Sequence, residues 1–269
     1  MSKAESGKKK GGRYLNDREK KFDLSRITPS DELQFFIEHF WIVEWDPERP
    51  LYKQQIPADL SVQLIFEKNN TWIWGVATGM FKRPLKGKGK IVGIKFRPGG
   101  FYPFFRSSVS TITDGILAFD EVFGEDISRL EKEILTPDSN QKSIARAARF
   151  LENNLPEKDE RVKKINDIID TVIKNSRLIR IEQLVERLDM SRRSLRRLFK
   201  WYVGIPPEWI IKRSRLHEVA NMIAEEQQGM DWTELALKLG YADQSYFIKD
   251  FKSVVGETPI EYARSIKMS

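Results

Sequence analysis

The C-terminal architecture is set by the stretch IRIEQLVERLDMSRRSLRRLFKWYVG, residues 179–204. Apolar residues recur at helical spacing on both sides of Asp189-Met190, which predicts two helices joined by a tight turn. Ser191 is expected to cap the second helix, because its hydroxyl accepts a hydrogen bond from the free N–H groups of the first turn. The first helix, about residues 180–188, has an apolar side made of Ile181, Leu184, Val185 and Leu188. The stretch therefore predicts a helix-turn-helix unit.

The second predicted helix has two chemically different sides. Its apolar arc consists of Leu195, Leu198, Phe199 and Tyr202. Its basic arc consists of Arg193, Arg196, Arg197 and Lys200, with Arg192 at the border. Because the apolar arc must pack on the first helix, the basic arc faces outward and could place guanidinium groups against guanine in a DNA major groove. The alternative is an ordinary solvated or salt-bridged face, but no acidic residue lies between Met190 and Pro207 to neutralise it.

This unit is repeated about 52 residues later. LFKWYVGIPP, residues 198–207, aligns with DFKSVVGETP, residues 250–259. The identical pairs are Phe199 and Phe251, Lys200 and Lys252, Gly204 and Gly256, and Pro207 and Pro259. An upstream apolar trio recurs at a spacing of 51, so the second copy has one extra residue in its turn. We therefore expect a duplicated helix-turn-helix.

The second copy presents a different outward set. Asp231 and Asp243 stand at capping positions, and the second helix covers about residues 243–254. Its outward candidates are Gln244, Ser245, Ile248 and Lys249, with Lys252 further along. Glutamine can pair with adenine and isoleucine can contact the thymine methyl group. Between the copies, residues 206–226 predict a long helix, opened by proline, that would hold the two units at a fixed spacing.

The N-terminal half has strand signals instead. Short β-branched and aromatic segments are bounded by Pro, Gly, Asn and Asp, namely HFWIVEW (39–45), SVQLIFEK (61–68), TWIWGVATG (71–79) and KIVGIKFRPGGF (90–101). SDELQFFIEHF (30–40) predicts a short helix, and KRPLKGKGK (82–90) a turn or loop. From about residue 116 the pattern is helical. We expect an α+β protein whose N-terminal domain is β-rich, cupin-like or a small barrel, with flanking helices.

Composition limits the possible chemistry. The 269 residues include no cysteine, which excludes disulfides, thiolate zinc sites and thiol nucleophiles. The two histidines, His39 and His217, fall in separate predicted elements, and no catalytic constellation, cofactor motif or metal site is expected. No apolar leader or run of 18 apolar residues occurs, so we expect a cytoplasmic protein without a membrane partner.

Charge and pattern together predict three segments. Residues 1–13 hold five Lys or Arg and one Glu, and are expected to be a disordered basic tail. Residues 14–158 are expected to be the β-rich sensory or regulatory domain with its C-terminal helices. Residues 159–269, the expected DNA-binding domain, include the basic stretch 161–269, with 20 Lys or Arg against 15 Asp or Glu. The chain as a whole carries +7, which favours a polyanionic partner.

The C-terminal region resembles the DNA-binding domain of the AraC/XylS family of transcriptional regulators. The resemblance rests on Arg215, Leu216 and Ala220 in the predicted linker helix and on LALKLGYADQSYFIKDFKSVVGETPIEYAR, residues 235–264. It implies two helix-turn-helix units joined by a linker helix. Asp189 departs from the family, which usually has glycine there, but Asp tolerates a left-handed backbone better than most residues.

The resemblance implies roles for individual residues. Base reading falls on Arg193, Arg196 and Arg197 in the first unit and on Gln244, Ser245, Ile248 and Lys249 in the second. Phosphate contacts are expected from Ser191, Arg192, Lys200 and Lys252. The expected function is sequence-specific transcription regulation on double-stranded DNA, with RNA polymerase as a further partner. The alternative is a non-specific nucleoid-type DNA-binding protein.

The N-terminal half more weakly resembles the β-rich domain that precedes this DNA-binding unit in some family members. The matching segments are PADLSVQLIFE, WGVATG and GIKFRPGGFYPF. That domain usually senses a small-molecule effector or mediates dimerisation, and monomer and homodimer both remain open. Trp72 and Trp74 share one face of a predicted strand and could line a ligand pocket, although aromatic residues more often fill a core.

Overall fold

The computed structural model describes residues 23–45, 52–56, 58–85, 87–124, 127–137, 139–175, 180–225 and 231–267. The predicted basic tail, residues 1–13, lies outside the described residues. An N-terminal antiparallel sheet is followed by a largely helical remainder, which confirms the α+β prediction.

All strand pairings are antiparallel. The strands are β1 (Asp23–Ile27), β2 (Ile37–Trp45), β3 (Tyr52–Ile56), β4 (Gln63–Glu67), β5 (Trp72–Trp74), β6 (Phe81–Leu85), β7 (Gly89–Phe96) and β8 (Ile116–Leu117). Six of them form one sheet in the order β1-β2-β7-β4-β5-β8, and β3 pairs with β6 in a second, two-stranded sheet. Strand alternation places Leu64 and Phe66 of β4 in the core and turns Gln63 to the opposite face.

Two local predictions in this half are wrong. Residues 30–40 do not form a helix beyond one 3-10 turn, Leu33–Phe35, because the backbone from Ile37 onward pairs with β7. Residues 82–90 are not a loop, since β6 and the start of β7 occupy most of them. Pro84 is compatible with β6 because a two-stranded sheet leaves one side of each strand without a ladder.

Eleven helices are named in chain order within the described residues. The first five are α1 (Tyr102–Phe105), α2 (Asp120–Phe123), α3 (Ile127–Leu135), α4 (Asn140–Asn153) and α5 (Glu160–Lys174). The others are α6 (Ile181–Leu188), α7 (Arg192–Tyr202), α8 (Pro207–Glu225), α9 (Trp232–Lys238), α10 (Gln244–Val255) and α11 (Pro259–Lys267). No helix in these ranges has the length and apolar character needed to cross a membrane.

Two hydrophobic clusters organise the chain. The larger one starts at Leu33, includes the sheet and α3 to α7, and ends at Ile211 in α8. The smaller one joins the second half of α8, from Leu216, to α9, α10 and α11. The first helix-turn-helix unit therefore shares its core with the N-terminal sheet, whereas the second has a core of its own. The proposed boundary at 158/159 consequently crosses a continuous apolar cluster.

Candidate nucleic-acid interface

The first helix-turn-helix unit is formed by α6 and α7. Asp189 ends α6 in a left-handed conformation, with a φ of 48°, as the turn requires. Ser191 then caps α7 by accepting a hydrogen bond from the Ser194 N–H at 3.1 Å. Leu195 and Phe199 are fully buried and pack in the larger core. The predicted helices, their turn and their cap are confirmed by this geometry.

The basic side of α7 is exposed to solvent. Arg193, Arg197 and Lys200 are exposed, and Arg196 retains about half of its side-chain exposure, at 51%. Trp201, which was not among the predicted site residues, is 43% exposed on the same helix. With Arg192, which is also exposed, the helix presents five cations together with one aromatic ring.

The expectation that these arginines lack neutralising partners is wrong. Glu208, in the first turn of α8, accepts a hydrogen bond from Arg196 Nε at 2.7 Å through Oε1, and the same oxygen forms an ion pair with Arg196 Nη2 at 2.6 Å. Arg192 contacts that oxygen at 3.5 Å and Glu182 Oε1 of α6 at 3.0 Å. Partial burial would raise the pKa of Glu208, but the hydrogen bond from Arg196, a backbone hydrogen bond and the charges of Arg196 and Arg192 together lower it.

The contact with Glu208 leaves one end of the Arg196 guanidinium free to donate hydrogen bonds to another acceptor. Glu208 takes the Nε and Nη2 side of the guanidinium, whereas the end formed by Nη1 and Nη2 can still present two donors to a guanine. Arg193 and Arg197 are exposed on either side of the same face. Glu208 could have been found from the sequence, because it is the first acidic residue after the acid-free stretch between Met190 and Pro207.

The second unit is formed by α9 and α10. Asp231 caps α9 by accepting from the N–H groups of Thr233 and Glu234 at 2.8 and 3.2 Å. Asp243 caps α10 by accepting from the Tyr246 N–H at 3.0 Å. Both capping predictions are confirmed, and α10 is capped in the same way as α7, by a side chain that accepts from the N–H group three residues later.

The predicted reading set of α10 is not equally exposed. Ser245 and Lys249 are exposed, whereas Gln244 is half-buried and Ile248 is partly buried against the smaller core. Tyr246 is 61% exposed, and Lys249 Nζ lies 6.0 Å from the centre of its ring. Tyr246 was missed by the sequence argument, since it corresponds to Ser194 in the first copy. The outward surface of α10 is therefore smaller and less basic than that of α7.

Asp250 explains a difference between the copies. It stands where the first copy has Leu198, and it accepts hydrogen bonds from Lys212 Nζ of α8 at 2.7 Å and from the Tyr241 hydroxyl at 3.2 Å. Burial, followed by the Asp250 carboxylate, raises the pKa of Tyr241. Asp250 therefore fastens α10 to α8 and does not face outward.

The linker helix α8 carries both units. Ile210 and Ile211 belong to the larger core, and Leu216, Ala220 and Ile223 belong to the smaller one. Arg215 donates to the Leu239 carbonyl at 2.5 Å at the end of α9. A single helix is thus packed against both units, which confirms the predicted linker.

The N-terminal sheet has a tryptophan-lined face. In β5 the buried residue is Ile73, while Trp72 and Trp74 are half-buried on the opposite side. Trp41 lies across Gly93, where a Cβ atom would come within 2.0 Å of its ring, and donates to Gln63 Oε1 at 3.0 Å. Neither predicted ligand-site tryptophan is a core residue, and both share the face to which Gln63 turns.

Within the ranges that the structure describes, no three His, Asp or Glu side chains form a cluster that could hold a metal ion. In the sheet, Lys95 of β7 forms half-buried ion pairs with Asp59 at 2.9 Å and with Glu38 at 3.4 Å. Burial would raise the pKa of Glu38, but the hydrogen bond from His39 and the Lys95 charge lower it to about 2.

Comparison with known proteins finds a family match in each half of the chain. Residues 184–265 match the family described as a helix-turn-helix domain, and residues 25–118 match a domain of unknown function, DUF6597. The F1 operon positive regulatory protein of Yersinia pestis is 34% identical over 100 residues, which are 36% of this chain and 33% of that protein. The XylDLEGF operon transcriptional activator of Pseudomonas putida is 27% identical over 148 residues, 55% of this chain and 38% of that protein.

An uncharacterized HTH-type transcriptional regulator of Haemophilus influenzae is 32% identical over 88 residues, 33% of this chain and 29% of that protein. The matched segments thus span about a third of each of these curated relatives. Among solved structures, ToxT from Vibrio cholerae O395 is 15% identical with a TM-score of 0.32, covering 93% of this chain and 100% of that one. This TM-score is too low to establish a shared overall fold.

The fold and the matches define the class: the chain carries a DNA-binding domain of two helix-turn-helix units. That domain is of the AraC/XylS type, which confirms the resemblance drawn from residues 215–220 and 235–264.

Proposed function

We propose that this protein is a sequence-specific transcriptional regulator that reads two adjacent major-groove segments of double-stranded DNA with α7 and α10. The supporting observation is that two capped helices, each with an exposed polar face, are fastened to one linker helix. At 19 residues, α8 is about 28 Å long, close to the 34 Å of one DNA turn. A linker helix of this length supports a model in which α7 and α10 enter successive major grooves.

The proposed base contacts are unequal between the units. In α7 they belong to Arg193, Arg196 and Arg197, of which Arg196 is oriented by Glu208. In α10 they belong to Ser245 and Lys249, with Gln244 and Ile248 at the edge of the reading face. Arginine bound to guanine is the most common specific contact, so α7 is expected to contribute most of the discrimination.

The proposed phosphate contacts lie beside the reading faces. They belong to Ser191 and Arg192 at the start of α7, to Lys200 further along it and to Lys252 of α10. Lys252 is exposed, and its nearest acid is Glu261 at 3.8 Å. Contacts of this kind position the protein without reading sequence.

The proposal assigns regulation to residues 14–158 and DNA binding to residues 159–269. A small-molecule effector would bind the tryptophan-lined face that carries Trp72 and Trp74. RNA polymerase is included as a partner because the relatives from Y. pestis and P. putida are named as a positive regulator and an activator. We propose a non-catalytic role, exerted on nucleoid DNA in the cytoplasm.

Competition binding tests this function. DNA selected from a random pool by the full chain should bind at least about a thousandfold more tightly than scrambled DNA of equal length. Arg196→Ala should cost about 1–3 kcal/mol on the selected DNA and relax one base position. Lys200→Ala should weaken both DNAs alike and reduce the salt slope by about one. Selected and scrambled DNA binding within about threefold across salt concentrations would indicate the nucleoid-type alternative.

A further inference from the structure

Two loops of the N-terminal half, residues 75–80 and 108–115, contact the ends of the reading helices; we name them the paired loops. At the end of α7, the Thr113 hydroxyl donates to the Gly204 carbonyl at 2.9 Å and the Ser108 hydroxyl donates to the Lys200 carbonyl at 3.3 Å. A Cβ atom on Gly204 would come within 2.8 Å of Thr113 Oγ1 and 3.0 Å of the Val109 carbonyl oxygen. The first reading helix therefore ends directly against loop 108–115.

The second reading helix ends against the other loop at the equivalent position. Gly256 follows Gly204 by 52 residues, and both adopt positive φ, 95° and 94°. A Cβ atom on Gly256 would come within 3.0 Å of Met80 Cε. Equivalent turns of the two repeats therefore contact two different loops of the same N-terminal half.

One side chain joins the paired loops. Asp114 accepts from the Thr78 N–H at 2.7 Å through one carboxylate oxygen and from the Thr78 hydroxyl at 2.6 Å through the other. Backbone hydrogen bonds from Asp114 N–H to the Val76 carbonyl, 2.9 Å, and from Gly75 N–H to the Gly115 carbonyl, 3.0 Å, connect the same loops. Both carboxylate oxygens of Asp114 and the backbone of the two loops therefore form hydrogen bonds that hold the loops together.

The linker helix is connected to the same loops. Ala77 and Asp59 exchange backbone hydrogen bonds of 3.0 and 3.3 Å, and Arg213 of α8 lies with Nη2 3.5 Å from the neighbouring Ala58 carbonyl. Burial lowers the pKa of Arg213, an effect offset in part by the charges of Asp59 and Glu38. The paired loops thus touch both reading helices at their ends and connect to the helix between them.

We propose that Asp114 is a positioning residue that sets the spacing between the two DNA segments read by α7 and α10. This inference rests on the proposed function and deepens it. The linker helix alone would join the second unit to the larger core at one place, so that bending of this helix would change the spacing between the units. A second attachment at the ends of α7 and α10 restricts that bending. If the relative position of the two units is already restricted before binding, less conformational entropy is lost when they bind correctly spaced DNA. DNA with another spacing is bound less tightly, because the units cannot adjust to it.

The test compares two substitutions at one position in the full chain. Asp114 has a φ of 56°, which glycine adopts without strain, so Asp114→Gly removes both hydrogen bonds and leaves the backbone relaxed. Asp114→Asn preserves them, because an amide can accept from the Thr78 N–H and donate to its hydroxyl. The DNA is the duplex selected by the wild-type chain, together with derivatives that have one or two base pairs inserted between the recognised segments.

We expect the wild-type chain to prefer the selected spacing by about tenfold or more, on the scale that a disturbed recognition position costs. Asp114→Gly should reduce this preference to about threefold or less with base preference unchanged, and Asp114→Asn should retain it. Asn69→Gly is the matched control: Asn69 also has a positive φ, 58°, but lies in the turn between β4 and β5. It should leave the spacing preference unaltered.

Circular dichroism and thermal unfolding establish that each variant is folded. If Asp114→Gly does not fold, Thr78→Val, which removes only the hydroxyl donor, should lower the spacing preference by a smaller factor. An unchanged spacing preference in a folded Asp114→Gly or Thr78→Val chain overturns the inference. A wild-type chain that binds selected and scrambled DNA alike contradicts the proposed function instead.

Discussion

Replacing Glu208 by glutamine should reduce DNA specificity without reducing DNA binding in general. Oε1 of Glu208 holds two nitrogens of Arg196, at 2.6 and 2.7 Å. A charge-assisted contact is about twice as strong as a neutral one. Because Arg196 is 51% exposed, solvent screening reduces the free energy by which Glu208 stabilises the oriented guanidinium to roughly 1 kcal/mol. Loss of that orientation corresponds to about a fivefold weaker complex with selected DNA.

The same substitution removes a negative charge beside the DNA and should strengthen binding to every sequence. Glu182→Gln separates the two effects, because Glu182 contacts Arg192 at 3.0 Å and its replacement causes the same change in net charge. Fluorescence anisotropy at several salt concentrations gives the ratio of affinities for selected and scrambled DNA. We expect Glu208→Gln to lower this ratio about fivefold and Glu182→Gln to leave it unchanged.

The reasoning would be refuted by a ratio that rises in Glu208→Gln, since Glu208 would then compete with DNA for Arg196. Equal ratios in the two variants would show that Glu208 acts on DNA through its charge alone. Thermal unfolding of both variants serves as the folding control. Each outcome can be distinguished from a general loss of binding, because scrambled DNA reports the non-specific affinity separately.

Three further predictions concern stability. Burial, with the charge of Arg213, lowers the pKa of His217 from 6.5 to about 3, so the free energy of unfolding should fall as the pH decreases from 6.5 toward 3, by up to about 1.4 kcal/mol per unit. His217→Gln should flatten this dependence in urea unfolding at pH 7 and 5, and parallel slopes would contradict it. Phe251→Ala, at a fully buried position of the smaller core, should cost about 3–5 kcal/mol in chemical denaturation. Asp231→Ala should cost about 1 kcal/mol by removing the α9 cap, and a cost no larger than that of a solvent-exposed control such as Glu225→Ala would contradict it.

The helix-turn-helix units could be predicted because their signals are local. Apolar spacing identifies the buried side of a helix, and it correctly predicts that Leu195 and Phe199 are core residues. Ser191, Asp231 and Asp243 cap helices whose free N–H groups are two or three residues away. The 52-residue repeat then indicated that the pattern occurs twice.

The N-terminal sheet was less predictable because strand pairing joins distant residues. β3 and β6 pair across roughly 30 residues of chain, and neither the hydrophobic pattern nor Pro84 indicated that they form a ladder. Residues 30–40 have a helical sequence pattern, but from Ile37 onward they form a strand that pairs with β7, more than 50 residues away in the chain. Trp72 and Trp74 could be placed on one face, but only the position of Ile73 showed which face is buried.

The composition and the helical periodicity of the sequence were thus sufficient to predict the class of DNA-binding domain and the solvent-exposed side of α7. The partners of that side depended on tertiary contacts: Glu208 is 12 residues from Arg196 in the chain, and Asp114 is 36 residues from Thr78. The physical reason is that helix formation and capping act within one or two turns, whereas ionic and hydrogen-bonded contacts depend on distance in space. The orientation of the reading arginine and the coupling between the two units therefore arise from the folded chain.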